Sequence, residues 1–250
     1  GIESIKPFQK LTPRPCIFEY IYFSRPDSYL GGLSIYECRK SFGQQLAKES
    51  PIDADYVIPV PDSGVPSAIG FAEVSRIPYE LGIIRNHYVG RTFIEPQQAI
   101  RALSVKLKHN VNKSLVNGKK IALIDDSIVR GTTSTKIIEM LREAGATEVH
   151  MRITSPPIKY PDFYGIDTPV QEQLLSANYT LEEICNFLKA DSISFLSIDG
   201  LYKAMGHPNG RDHNNPFFTD HCFTGDYPTK LKDRESKEEF SQLSLLSNLE

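Results

Sequence analysis

The sequence predicts an α/β fold: a central, mostly parallel sheet with helices on both faces, followed by a C-terminal extension. Three observations carry this expectation. Short β-rich apolar runs alternate with segments of helical period, the pattern of parallel strands joined by crossover helices. Two of those runs end in polar turn clusters that lead straight into a helix. The chain has 250 residues and is 40% hydrophobic, enough for one large core or two small ones.

Taken in order, Asp55 to Pro61 (DYVIPVP) reads as a short strand, and the cluster Asp62-Ser63-Gly64 turns the chain. Pro66 to Ser75 reads as a helix, since proline at a first helical position needs no amide donor. Ile83 and Ile84 end another strand-like run. Lys120 to Ile124 (KIALI) is a buried strand. Thr132 to Ala144 carries Ile137, Ile138 and Leu141 at helical spacing and stops at Gly145. Glu148 to Ile153 is a further strand.

Two regions break the rhythm. Arg85 to Asn112 is long and polar, with Arg85, Arg91, Arg101, Lys106 and Lys108 against Glu95 alone. A loop of that length inside a compact domain is usually functional. Beyond Met205 the motifs PNGRDHNNP and DRESKEEF are polar and turn-rich, which predicts a loosely packed tail over 206–250.

Composition excludes several classes. The net charge of −3 is not that of a nucleic-acid binder. No apolar run approaches the ~20 residues of a membrane span. The opening GIESIKPFQK lacks the apolar core of a signal peptide. Cys16, Cys38, Cys185 and Cys222 follow no repeated spacing, so the expected setting is a reducing cytoplasm without a disulfide framework.

The chemistry concentrates in IALIDDSIVRGTTS, Ile121 to Ser134. A buried strand ends at Asp125-Asp126, a loop runs through Ser127, Arg130 and Gly131, and a helix follows. Such a loop offers free backbone N–H groups and the positive end of a helix dipole. Gly131 lets the backbone approach an anion, and Thr132, Thr133 and Ser134 add hydroxyl donors. No Gly-Lys-Ser/Thr is present, so this is a phosphomonoester cradle and not a Walker A loop. The paired acids repel phosphate. They suit ribose hydroxyls or a Mg²⁺ ion, unless they merely cap the helix that follows.

Asp125 to Ser134 resembles the motif that binds 5-phosphoribosyl-1-pyrophosphate (PRPP) in type I phosphoribosyltransferases. The strings EYIYFSRPDS, HYVGRTFI, DDSIVRGTTS and FYGIDTP narrow the resemblance to glutamine PRPP amidotransferases, from about Cys16 to about Thr229. The resemblance implies the type I fold. It also implies transfer of phosphoribosyl to ammonia, at the first committed step of purine synthesis. It makes Asp62, Ser63 and Gly64 a pyrophosphate loop, and ties Ser63, Asp125 and Asp126 to Mg²⁺. It makes 85–112 a lid that brings Tyr88 and Arg91 to the leaving group and Arg85 to the substrate. The family pattern has Lys at position 85, and Arg keeps the charge while changing its geometry.

The resemblance further implies a homo-oligomer inhibited by purine nucleotides. Residues 1–15 would link to a missing glutamine-hydrolysing half, with the transferase domain at 16–205. Some family members hold a [4Fe–4S] cluster on four cysteines. Cys16 and Cys222 match, but Asp162 stands at a third position and NNPFFTDH offers no fourth, so no cluster is expected. Cys38 and Cys185 read as small buried residues. Two alternatives stay open: transfer to a nucleobase, for which no base-recognising hood is visible, and a catalytically dead nucleotide sensor.

Overall fold

The computed structural model describes residues 12–86, 109–166 and 170–229, together with 3, 5, 168 and 231. Its centre is a four-stranded, wholly parallel sheet in the order β3-β6-β7-β8, formed by β3 (Tyr56–Pro59), β6 (Lys120–Asp125), β7 (Glu148–Ile153) and β8 (Ser192–Phe195). Register sets Pro59 opposite Ile124 and Asp125 opposite Ile153, so the strands end at one common edge. Strands buried on both faces read as continuous apolar runs, which is why KIALI stands out in the sequence.

Alternate strand residues feed two cores. Val57, Ala122 and Ile124 join one with α1 (Ile35–Glu49), α2 (Val65–Ser75) and α7 (Ile198–Ala204). Ile58, Ile121 and Leu123 join the other with α4 (Thr132–Glu143) and α6 (Leu181–Leu188). Helices therefore cover both faces, as the sequence predicts. Helices α1 and α2 meet backbone to backbone. A Cβ at Gly43 would lie 1.8 Å from the Ser67 carbonyl oxygen, and one at Gly70 would lie 1.9 Å from that of Lys40.

Smaller elements complete the chain. A hairpin of β1 (Tyr29–Leu30) and β2 (Leu33–Ser34) precedes α1. The turns α3 (Lys113–Val116), α5 (Leu175–Asn178) and α8 (His221–Thr224) join larger elements.

Two expectations need correction. The segment 85–112 does not begin and end as loop: β4 (Ile83–Arg85) pairs antiparallel with β5 (His109–Val111), Arg85 opposite His109. Its interior, 87–108, with Tyr88 and Arg91, lies outside the described residues. The extension beyond Met205 is not loose as far as it is described. Phe218, Thr219, Asp220, His221 and Cys222 are buried, and Thr219 bridges to Cys16. Arg211 donates to both carboxylate oxygens of Asp220, at 2.7 and 3.1 Å, and Tyr202 donates to the same group at 2.7 Å. Opposite charges that neutralise one another inside the protein let a polar segment pack.

Candidate functional site

The site lies where the strands end. Asp125 is the last residue of β6, and Asp126 follows it. They are only 7% and 5% exposed. Their backbone is fixed: Thr154 N–H donates to the Asp125 carbonyl at 3.0 Å, and Asp126 N–H donates to Asp125 Oδ1 at 2.9 Å. Helix α4 begins later, at Thr132, with Gly131 as its N-cap and no side-chain capping bond. The acid pair therefore does not cap that helix.

Burial raises the Asp125 carboxyl well above its ordinary range, and the charge of Asp126 raises it further. Burial raises Asp126 as well, but hydrogen bonds from Ser127 and Ser63 and the nearby Arg39 cation oppose the rise. Ser127 Oγ donates to Asp126 Oδ1 at 2.5 Å. So two neighbouring acids sit in unequal settings, both raised by burial, with opposing hydrogen bonds and a cation at Asp126.

Gly131 takes φ = 77°, a left-handed conformation that suits glycine. A Cβ there would also press on the side chains of Leu175, Phe187 and Leu188, at 2.9–3.2 Å. The first intrahelical bond of α4 is Thr135 N–H to the Gly131 carbonyl, at 2.9 Å. The N–H groups of Thr132, Thr133 and Ser134 precede that ladder, so they and the helix dipole suit an anion. Arg130 reaches over to Gln173 Oε1 at 3.2 Å.

The second loop lies beside the first. Gly64 opens α2 and donates to the Val60 carbonyl at 3.0 Å, while Val60 N–H donates to the Ile124 carbonyl at 2.8 Å. A Cβ at Gly64 would stand 2.6 Å from that Ile124 oxygen. Only a residue without a side chain lets this turn lie so close to β6. Ser63 meets Asp126, and Asp62 forms an ion pair with Arg85. The structure thus joins Asp62, Ser63, Gly64, Arg85, Asp125, Asp126 and Ser127 at one sheet edge.

Sequence reasoning missed Arg39. It is 3% exposed, donating to the carbonyls of Tyr20 at 3.0 Å and Ser24 at 2.7 Å. Ser67 Oγ donates to the Arg39 carbonyl at 3.0 Å, and Thr154 Oγ1 donates to Ser67 Oγ at 3.3 Å. One signal was available: Arg39 shares the α1 face of Ile35, Phe42 and Leu46, where a cation is out of place.

A parallel sheet carrying an acid pair, a helix start open to an anion and a Ser-Gly turn at its carboxyl edge has the architecture of the type I phosphoribosyltransferase fold. No protein-family model matches the chain. The amidophosphoribosyltransferase of Rhizobium etli is 56% identical over 251 residues, covering 99% of this chain and 50% of that protein. That of Bacillus subtilis is 50% identical over 231 residues, covering 92% and 48%. A solved glutamine PRPP amidotransferase from B. subtilis, complexed with ADP and GMP, superposes with a TM-score of 0.79 at 51% identity, covering 88% of this chain and 48% of that one. A second, the allosteric regulatory enzyme of purine biosynthesis, gives 0.78 at 50% identity, covering 88% and 47%. Over nearly all of its length the chain is similar to one half of the amidophosphoribosyltransferases, and it spans about half the length of the curated relatives it matches.

Proposed function

We propose that this chain transfers the phosphoribosyl group of PRPP to ammonia, releasing pyrophosphate and 5-phosphoribosylamine, the first committed step of purine synthesis. The observation that carries this reading is the buried Asp125-Asp126 pair at a strand end, set between two anion-binding turns. The N–H groups and hydroxyls of Thr132, Thr133 and Ser134 hold the 5-phosphate, with Ser127, Arg130 and Gly131 shaping the loop. Asp125 and Asp126 face the ribose hydroxyls. Asp62, Ser63, Gly64 and Arg85 hold the pyrophosphate, and Tyr88 and Arg91 act on the leaving group.

As the C1–O bond weakens, positive charge develops on the sugar ring, and the carboxylates stabilise it. Ammonia attacks C1 from the opposite face, with inversion. The donor set of Asp125, Asp126 and Ser63 is all oxygen, which fits Mg²⁺. When bound, that ion would neutralise charge on the leaving pyrophosphate.

A solved relative is complexed with ADP and GMP, so purine nucleotides are the proposed regulators, acting on a homo-oligomer. The four free cysteines suit a reducing, cytoplasmic setting. Among the described residues no helix is long and apolar enough to cross a membrane. In domain terms, the transferase unit is 16–205, onto which 206–229 packs, and Arg14 joins that packing by donating to the Phe218 carbonyl at 3.3 Å.

The test is pyrophosphate release from PRPP and Mg²⁺ with ammonium salts or with glutamine. Turnover is expected with ammonium and not with glutamine alone. Glutamate release from glutamine would refute the assigned nitrogen source, and turnover only with a purine or pyrimidine base would favour nucleobase transfer.

A further inference from the structure

Away from the phosphate loops, two distant chain segments bring three ligand atoms to one buried point. His221 Nε2 lies 2.7 Å from Asp162 Oδ2 and 3.5 Å from Cys222 Sγ. All three ligand atoms lie within 4.8 Å of one another, and all three residues are buried. From this geometry we infer a mononuclear site for a divalent transition-metal ion of the zinc class, held by Asp162, His221 and Cys222.

The surroundings fix each ligand. Asp162 Oδ1 accepts the N–H groups of Tyr164 at 2.7 Å and Ile166 at 2.9 Å, which leaves Oδ2 to face the histidine. The Cys222 carbonyl accepts from Lys159 N–H at 2.9 Å and Tyr160 N–H at 3.1 Å. The His221 ring packs against Tyr164 and Tyr227, centroids 5.2 and 4.9 Å away. Its Nδ1 is buried with no hydrogen-bond partner, so its polar contacts all lie on the side of the shared point. Cys16 completes the neighbourhood. It bridges to Thr219, two residues before His221.

The donor chemistry selects the ion. One oxygen, one nitrogen and one sulfur suit borderline-soft zinc-class ions, not the all-oxygen preference of Mg²⁺. With Cys16 and Cys222 the only cysteines at hand, four thiolates for a [4Fe–4S] cluster are not available. Metal–ligand bonds of about 2.0–2.3 Å at tetrahedral angles place ligand atoms about 3.3–3.6 Å apart. The sulfur–nitrogen distance of 3.5 Å already has that value. The oxygen–nitrogen distance of 2.7 Å is that of a hydrogen bond, its proton standing where the ion would stand. Loading therefore opens this pair by about 0.6 Å. It releases the Cys222 thiol proton and the proton shared by His221 and Asp162. Cys16 or a water supplies the fourth ligand.

The ion would staple two parts of the chain: the loop after β7 and the segment around α8. The test is titration of metal-free protein, the whole chain, with Co²⁺ and Zn²⁺. The expected result is one Co²⁺ per chain, a thiolate-to-cobalt absorption band, displacement by Zn²⁺ and a higher Tm with Zn²⁺. Cys222→Ser, close in size to the native side chain, should keep the far-ultraviolet circular dichroism and lose the thiolate band. Failure of native protein to give that band, or an unchanged band in folded Cys222→Ser, would overturn the site. So would purified protein holding stoichiometric iron with inorganic sulfide. None of these readouts depends on the transferase reading.

Discussion

Replacing Gly64 with alanine tests whether close approach of the pyrophosphate loop to β6 matters. Gly64 has φ = −75°, which alanine adopts without strain, so the effect is steric alone. The added Cβ would lie 2.6 Å from the Ile124 oxygen and 2.9 Å from the Val60 oxygen, where ordinary contact begins at 3.4 Å. The turn must retreat by about 0.8 Å, and both neighbours are backbone, which cannot rotate away. Retreat strains two hydrogen bonds, Gly64 N–H to Val60 and Val60 N–H to Ile124. Overpacking of ~1–3 kcal/mol and ~0.5–1.5 kcal/mol for each of the two weakened bonds give a loss of about 2–6 kcal/mol. At this chain length that lowers Tm by about 4–24 °C. A misplacement near 1 Å also costs about a hundredfold in turnover. The control is Gly118→Ala, where a Cβ meets nothing within 4 Å and only φ = 74° is unfavourable, about 1–2 kcal/mol. The assay is thermal unfolding beside pyrophosphate release with ammonium, PRPP and Mg²⁺. Gly64→Ala with turnover within threefold of native and a Tm no lower than the control's would refute the reasoning.

Three further outcomes follow from the same geometry. Asp125 has a raised pKa from burial and from Asp126, so its ionisation opposes folding as pH climbs from about 4, the unfolded value, through the folded one. Asp125→Asn should therefore raise Tm at pH 7, lose that advantage toward pH 4, and abolish most turnover; a lower Tm at pH 7 would contradict the assignment. Arg39→Met removes the cation that favours ionised Asp126, so the acid limb of the pH–rate profile should move to higher pH, with Arg39→Lys restoring it in part. An unmoved limb in folded Arg39→Met would deny the coupling. Arg211→Met leaves Asp220 buried without its cation and should destabilise by about 3–5 kcal/mol; a loss under 1 kcal/mol by denaturant titration would show that the extension is not integral.

The parts of this fold legible in the sequence are those where neighbouring residues settle the outcome. β7 runs over Glu148 to Ile153, residue for residue as expected, and α4 begins at Thr132. A buried parallel strand needs only its own apolar atoms to announce it. The phosphate loop is equally local, since strand end, Gly131 and helix start are contiguous. What escaped depends on partners far along the chain. β4 was expected at Ile83 and Ile84, but its partner β5 lies across a long intervening segment, so His109 to Val111 alone looks like the end of a polar loop. The polarity of PNGRDHNNP is real, but Arg211 and Asp220 cancel in space nine positions apart, and composition is blind to such pairing. Cys185, expected to be buried, is half-buried, its thiol held by the Ala190 carbonyl at 3.2 Å. Arg39 was visible only as a violation of an apolar face.

The acid pair shows why this edge of the sheet is suited to the proposed chemistry. Two carboxylates kept away from water and beside each other oppose folding, yet the structure gives them no freedom to turn out. The Asp125 backbone is locked by Thr154, and Ser127, Ser63 and Arg39 hold Asp126. In the proposed reaction a sugar acquires positive charge at this point. A carboxylate attracts a cationic ring at C1 more than a neutral one, so the arrangement favours the transition state over the bound substrate. The two carboxyls need not act alike. Asp126 has two hydroxyls and a cation opposing the rise that burial imposes, whereas the charge of Asp126 adds to the rise at Asp125. These different settings make separate Asn substitutions at the two positions informative: equal losses of turnover in the two single variants would show that the pair acts as one unit.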